Sequence, residues 1–266
     1  MEGAAPLLIT DRLLAQAISA DALRLAFQPK LSLESDAVVS VEALLRWPQE
    51  SGGSISPELL VSLAEQRGLI DQLTMWVVKA AVAQWLRWRQ QGLSLKIAVN
   101  ISALNLDNRD FPDRVHDLCV QHGMPSGYLM VELTESTTQH QTQLMDCITR
   151  FRLKGIAVAL DDFGTGYATL AQLQRLPFSE IKIDKCFVSE VLTSEDSRNI
   201  VALIITLARQ LEIGVTAEGI EDQATLDLLR EMGCDEAQGY HIALPMSGEA
   251  LLHWYFERYP RVELRA

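Results

Sequence analysis

A set of polar residues closes the apolar, strand-like runs of this chain. Glu42 lies in VEALLRW, Asn100 ends IAVN, Glu132 falls in VELTE, Asp161 and Asp162 end VALDD, and Glu218 ends VTAE. Lys182 and Asp184 fall in IKID, and Gln238 precedes Gly239 and Tyr240. Taken singly, an acid after a strand commonly caps the next helix by accepting its free backbone N–H groups. Capping does not require acids at successive strand ends together with an amide, and like charges are costly to bury unless paired or bound to metal. Glu42, Glu132, Asp161, Asp162 and Glu218 bring five negative charges and Lys182 one positive, a net −4 that two divalent cations would neutralise. Carboxylate oxygens with one amide oxygen suit magnesium or manganese, not zinc or copper. Two cations held this way can lower the pKa of a bound water and stabilise negative charge developing on oxygen. Lys182 would stabilise charge or accept a proton, its pKa lowered beside the cations. His116, His122, His140, His241 and His253 read as surface or helix residues, so a histidine-rich zinc site is not expected.

Two short motifs carry less than they suggest. Asp162-Phe163-Gly164 spells a kinase magnesium motif, but no catalytic-loop HRD or Gly-rich ATP loop precedes it. Gly164-Thr165-Gly166 lacks the lysine of a phosphate-binding P-loop, and reads as a loop of special backbone geometry.

The elements that must position these residues alternate. Strand-like runs are LRLAFQPKLSL, VVSVEALL, LKIAVNIS, YLMVELT, IAVALDD, EIKID, IGVTAEG and DEAQGY. Between them lie helical stretches such as PELLVSLAEQRG, LIDQLTMWVVKAAVAQWLRWRQQG, DRVHDLCVQHG, QTQLMDCITRFRLKG, RNIVALIITLARQLE and DQATLDLLREMG. Gly68, Gly92, Gly123, Gly155 and Gly233 stand where left-handed helix C-caps are wanted. Repeated βα units favour parallel strands with helices outside, whose strand C-termini share the face that carries active sites. The first two strand-like runs are joined by ESDA without a helix, which implies an antiparallel pair. The expectation is an α/β fold: a modified TIM-like (β/α)8 barrel with the first strand antiparallel to the rest. An open doubly wound sheet is the alternative that periodicity leaves open.

The 266 residues contain no Pro/Gly/Ser-rich divider, so residues 1–266 are expected to form a single domain with a core of about 23–246. Hydrophobic residues at 48% and charged residues at 22% describe an ordinary globular chain. No leader-like start and no apolar run long enough for a bilayer are visible, so a cytoplasmic protein without membrane insertion is expected. The net charge of −12 argues against polymeric nucleic acid as a partner. If the ligand is nevertheless a phosphate ester, bound metal is the obvious local source of positive charge. Cys119, Cys147, Cys186 and Cys234 lie far apart without a CxxC pair and read as reduced core thiols.

These residues fall into blocks that resemble a known family. FQPK, EAL (Glu42-Ala43-Leu44), NIS, ELTES, DDFGTGYATL, KID, AEGIE and QGYHIALP stand in order from about Leu23 to about Met246, as in the EAL-domain cyclic di-GMP phosphodiesterases. The resemblance implies hydrolysis of cyclic di-GMP to linear pGpG, with two Mg2+ or Mn2+ ions and with Ca2+ inhibitory. By resemblance, Glu42, Asn100, Glu132 and Asp161 hold one metal, while Asp161, Asp162 and Glu218 hold the second. Lys182 matches the lysine that orients or deprotonates the water, Arg46 a phosphate contact, and Gln28 and Gln238 dinucleotide contacts. Glu135 matches a glutamate bracing the DDFGTGYATL loop, and Glu221 and Asp184 match residues supporting the site and its substrate. Departures are Ala168 where the family often has Ser and Phe27 where Tyr is common; neither removes a ligand. The resemblance also implies a homodimer and an upstream regulatory domain, and the tail QGYHIALPMSGE resembles response-regulator output domains. Some relatives that have lost metal ligands act as silent cyclic di-GMP receptors; here every ligand position is filled. A barrel enzyme of the enolase or aldolase kind is the third reading, because fold alone fixes no chemistry.

Overall fold

The computed structural model describes residues 11–19, 22–49, 53–135, 141–164, 166 and 170–260. In chain order it contains α1 (Asp11–Ser19), β1 (Arg24–Ser32), β2 (Val38–Pro48), β3 (Ser54–Ile55), α2 (Pro57–Gln66), α3 (Ile70–Gln90), β4 (Lys96–Asn100) and α4 (Phe111–Gln121). There follow β5 (Leu129–Thr134), α5 (Gln141–Leu153), β6 (Ala157–Phe163), α6 (Leu170–Arg175), β7 (Glu180–Ile183), α7 (Lys185–Val188) and α8 (Glu195–Gln210). The chain continues through β8 (Gly214–Ala217), α9 (Gln223–Met232), β9 (Glu236–Gln238) and α10 (Gly248–Arg258).

All eight strand-like runs form strands, and they close into a barrel. β1 runs antiparallel to both neighbours, β2 and β9, while the remaining pairings around the ring are parallel. The short turn after β1 leaves no room for a crossover helix, so β2 must return beside it. The barrel is therefore the expected one, and the open sheet is excluded. β3 is a two-residue appendage paired to the end of β2.

Period-two alternation divides the side chains between two environments. Val41, Ile97, Val99, Val131, Val158, Leu160, Ile181 and Val215 belong to the main buried core with the helices. There α3 contributes Val78, Ala81, Val82, Trp85 and Trp88, the last meeting Phe27 edge to face at 4.8 Å. On the opposite strand face, Ala98, Met130 and Ala159 form only a small separate apolar cluster. Polar residues dominate the rest of that face, which is unusual for a barrel interior. It holds Gln28, Lys30, Ser40, Glu42, Glu132, Asp161, Glu180, Lys182, Thr216 and Gln238, all buried.

Helix ends follow local chemistry. The Ser56 hydroxyl accepts the Leu59 N–H at the start of α2, and Asp222 accepts the Thr225 N–H at the start of α9. Gly68, Gly92, Gly123, Gly155 and Gly233 all have left-handed φ, from 66° to 81°. The sequence pattern did not announce α1, α6, α7 or α10. Three cysteines are buried as expected, but Cys186 is exposed at the start of α7, which corrects the all-core reading; all four are free thiols. Among the described residues, no helix is long and apolar enough to cross a membrane. Ala168 and His140 lie outside the described residues.

Candidate metal centre

The strand ends bring the acids together. Oxygens of Glu42, Glu132 and Asp161 lie within 4.8 Å of one another, and so do oxygens of Asp161, Asp162 and Glu218. Asp161 is common to both groups. β2 delivers Glu42 from within the strand, β5 and β6 deliver Glu132 and Asp161 two residues before their C-terminal ends, and β8 delivers Glu218 just beyond its end, and the register of the pairings brings them together. Asp162 sits at a left-handed φ of 55°, and its N–H is donated to Asp161 Oδ1 at 2.9 Å. Aspartate tolerates that conformation better than most residues, and the turn lets adjacent carboxylates face one centre.

Amides and lysines complete the set. Asn100 Nδ2 donates to Glu42 Oε1 at 2.7 Å, which leaves the Asn100 amide oxygen as the donor atom it could offer a cation. Gln238 Nε2 donates to Glu42 Oε2 at 2.7 Å and to Gln28 Oε1 at 3.2 Å, and Gln28 Nε2 donates to the Ala243 carbonyl at 3.2 Å. Gln238 Oε1 is buried with no hydrogen-bond partner among the described residues. Lys182 Nζ lies 2.6 Å from Glu218, 3.0 Å from Asp161, 3.1 Å from Glu132 and 3.6 Å from Glu42.

The electrostatics follow from this crowding. Burial pushes the Asp161 carboxyl well above the usual range, and Glu218, Glu132 and Glu42 add to it against Lys182. Burial raises Glu218 in the same way. Burial also opposes ionisation of Glu132, but Lys182 and Lys30 outweigh it and hold that carboxyl at about 2. Burial would lower the Lys182 pKa, yet the four carboxylates drive it well above the ordinary lysine value.

Sequence reasoning missed Lys30. Its Nζ donates to Glu132 Oε1 at 2.7 Å, so the centre has a second ammonium that the charge count omitted. The signal lay in FQPK, where Lys30 shares the strand face of Gln28 two residues earlier. Arg46 lies on the Glu42 face of β2, half-buried, and donates to the adjacent Leu45 carbonyl at 2.8 Å. Asp184 caps α7 by accepting the Cys186 N–H at 2.7 Å and shares a hydrogen bond with Asp162, which burial and Asp184 together raise above the usual carboxylate range. Glu135 is buried and its Oε2 accepts the Gly166 N–H at 3.0 Å, tying β5 to the loop after β6. Gly164 in that loop has φ 108°, and an added Cβ would lie 2.6 Å from the Phe187 ring. Glu221 is exposed at the mouth.

A cavity of about 440 Å³ opens over the centre, lined by Gln28, Glu42, Asp161, Lys182, Glu218 and Gln238, with Glu58, Lys185, Glu221 and Tyr240 at its rim. Larger clefts of about 840 and 620 Å³ run beside α3 and α9, outside the barrel. Both candidate metal-holding groups of the described residues lie at the strand ends.

Fold and site together define a βα-barrel with a shared-carboxylate centre at the C-terminal strand ends. The chain belongs to the EAL domain family, whose model matches residues 11–245. It is 37% identical over 241 residues to the bifunctional diguanylate cyclase/cyclic di-GMP phosphodiesterase MucR of Pseudomonas aeruginosa, covering 90% of this chain and 35% of that protein. It is 37% identical over 243 residues to the cyclic di-GMP phosphodiesterase PA2567 of the same species, covering 91% and 41%. The solved P. aeruginosa MucR phosphodiesterase in complex with c-di-GMP superposes with a TM-score of 0.84 at 37% identity, covering 90% of this chain and 97% of that one. The chain spans 30–41% of the length of the curated relatives it matches.

Proposed function

We propose that this chain hydrolyses cyclic di-GMP to linear pGpG, using two magnesium or manganese ions held at the barrel mouth. The observation that carries the reading is the pair of carboxylate groups sharing Asp161, with the Lys182 ammonium among them. Glu42, Asn100, Glu132 and Asp161 would hold one cation, and Asp161, Asp162 and Glu218 the other. Hard oxygen donors of this kind fit magnesium or manganese. When bound, such ions supply Lewis acidity, lowering the pKa of water and stabilising charge on phosphoryl oxygens.

The chain's own residues supply the rest. Lys182 is held by carboxylates from four strands, so its ammonium is fixed where it can orient the attacking water and donate to a phosphoryl oxygen that gains charge. The water oxygen forms a bond to phosphorus and gives up a proton, the bond from phosphorus to the ribose 3′ oxygen breaks, and that oxygen takes up a proton to leave as a hydroxyl. Gln28 and Gln238 face the cavity, and the unpartnered Gln238 oxygen offers an acceptor to a base or ribose donor. Arg46 would contact phosphate, Asp184 and Glu221 would support the substrate side, and Glu135 would hold the loop that carries Gly166. Residues of about 23–246 make up this catalytic domain, which the same reading places in the cytoplasm as a homodimer.

Incubation with cyclic di-GMP and magnesium or manganese, followed by chromatography, tests the reading. It expects pGpG. Tight binding without turnover in either metal would replace it with the silent-receptor function.

A further inference from the structure

Beneath the carboxylate centre the barrel holds a second polar layer. Lys30 is 1% exposed, and its Nζ donates to Glu132 Oε1 at 2.7 Å and to Glu180 Oε1 at 3.4 Å. Thr216 Oγ1 donates to the same Glu180 oxygen at 2.7 Å. Glu236 and Ser40 continue the layer, Ser40 Oγ donating to Glu236 Oε2 at 3.1 Å. Burying an ammonium costs several kcal/mol of desolvation, about as much as a good buried partner returns. An aliphatic side chain would fill the same space without that cost. The lysine is therefore explained by what it does to its partners.

We infer that Lys30 is a positioning residue of the centre, fixing Glu132 Oε1 from below so that this carboxylate is presented to a cation in one orientation. Lys182 meets the other oxygen, Oε2, at 3.1 Å from above. Glu132 is thus clamped by ammonium groups from β1 and β7, and Glu180 and Thr216 anchor Lys30 in turn. β1 can reach the layer because its antiparallel course places Lys30 opposite Ser40 and Gln238, two residues along from Gln28. Partners that orient a metal-ligating carboxylate typically govern affinity by about 10–100-fold.

A charge-only role predicts the opposite sign. A lysine beside a cation site repels the cation, so neutralising it would tighten binding. The two roles are separated by Lys30→Met/Glu180→Gln, which removes one charge of each sign and leaves the net charge unchanged. The experiment is a calorimetric titration of the full chain with Mn2+, alongside kinetics on cyclic di-GMP. The double variant is expected to bind Mn2+ about 10–100-fold more weakly, with KM for cyclic di-GMP unchanged and turnover recovered by excess Mn2+. Glu180→Gln alone, which retains the Lys30–Glu132 contact, is expected to stay within about threefold of the unaltered chain, well short of the loss of an orienting partner. Equal or tighter Mn2+ binding by the double variant overturns the inference, as does a loss as large in Glu180→Gln alone. If the double variant is recovered unfolded, Lys30→Met is read in the same titration, where weaker binding supports the inference and tighter binding overturns it. The inference rests on the two-cation reading above. Absence of Mn2+ binding by the unaltered chain would remove both, whereas normal binding there with an indifferent variant removes only the role of Lys30.

Discussion

Replacing Lys182 by methionine removes an ammonium that lies within 3.6 Å of Glu42, Glu132, Asp161 and Glu218, in a position 1% exposed to water. Breaking a buried ion pair by deleting one partner costs about 3–5 kcal/mol, because the other charge is left uncompensated. For a domain of this size each kcal/mol moves the melting temperature by about 2–4 °C. Lys182→Met should therefore melt about 6–20 °C below the unaltered chain when divalent ions are chelated. Added Mn2+ restores positive charge to the same carboxylates. Occupancy at a hundred times the dissociation constant stabilises by about 2.7 kcal/mol, and the variant, no longer repelling the ion, gains more than the unaltered chain. Only the difference between the two gains narrows the gap, and tenfold tighter Mn2+ binding by the variant, about 1.4 kcal/mol, should close it by about 3–6 °C. Circular-dichroism melts at pH 7 in EDTA and in Mn2+ measure both numbers. A gap of equal size in the two conditions, or no loss in EDTA, would refute the argument that Lys182 and the cations serve the same carboxylates.

Glu42→Ala should fold yet lose about a thousandfold or more in turnover, the rate equivalent of roughly 4 kcal/mol; a fully active variant would show that the ligand assignment is wrong. Glu135→Ala loses a charge-assisted hydrogen bond from the Gly166 N–H, worth about 1.5–3 kcal/mol, and should slow turnover about 10–100-fold without weakening Mn2+ binding. Unchanged kinetics would separate Glu135 from the loop's function. Asp161 and Glu218 have carboxyls raised by burial and by the neighbouring Glu42 and Glu132 carboxylates, so the folded chain holds protons that the unfolded chain has released. In chelator, stability should accordingly fall as pH rises above the ordinary carboxylate value towards those raised values. Glu132 acts oppositely and lower down, its contribution being lost only as pH falls from the ordinary glutamate value towards about 2. Urea melts in EDTA from pH 5 upward check the slope, which Asp161→Asn should flatten; an unaltered slope would contradict the assignment.

The strand-end acids were legible because two rules act together: side chains alternate along a strand, and parallel strands share one C-terminal face. Glu42, Glu132, Asp161 and Glu218 each sit where both rules converge, so reading each run separately still located their common centre. The antiparallel opening was legible for a topological reason, since the stretch between β1 and β2 is too short for a crossover. Lys30 was not legible as a buried ion. It lies inside β1 after Pro29, and a mid-strand lysine ordinarily marks a solvent face. Its burial depends on the ring closing and on Glu180, which lies 150 residues away. Asp184 shows the limit of the strand-end rule, because there the ordinary capping explanation also holds. The helix α10 went unread although a serine cap, Ser247, marks its start.

The most direct measurement is a crystal structure with cyclic di-GMP and calcium, an ion expected to fill the site without supporting turnover. The account predicts two calcium ions bridged by Asp161, one beside Glu42, Asn100 and Glu132 and the other beside Asp162 and Glu218, with a phosphate of the ligand over them and next to Lys182. Calcium absent from these carboxylates, or cyclic di-GMP bound away from the mouth that Gln28 and Gln238 line, would contradict it.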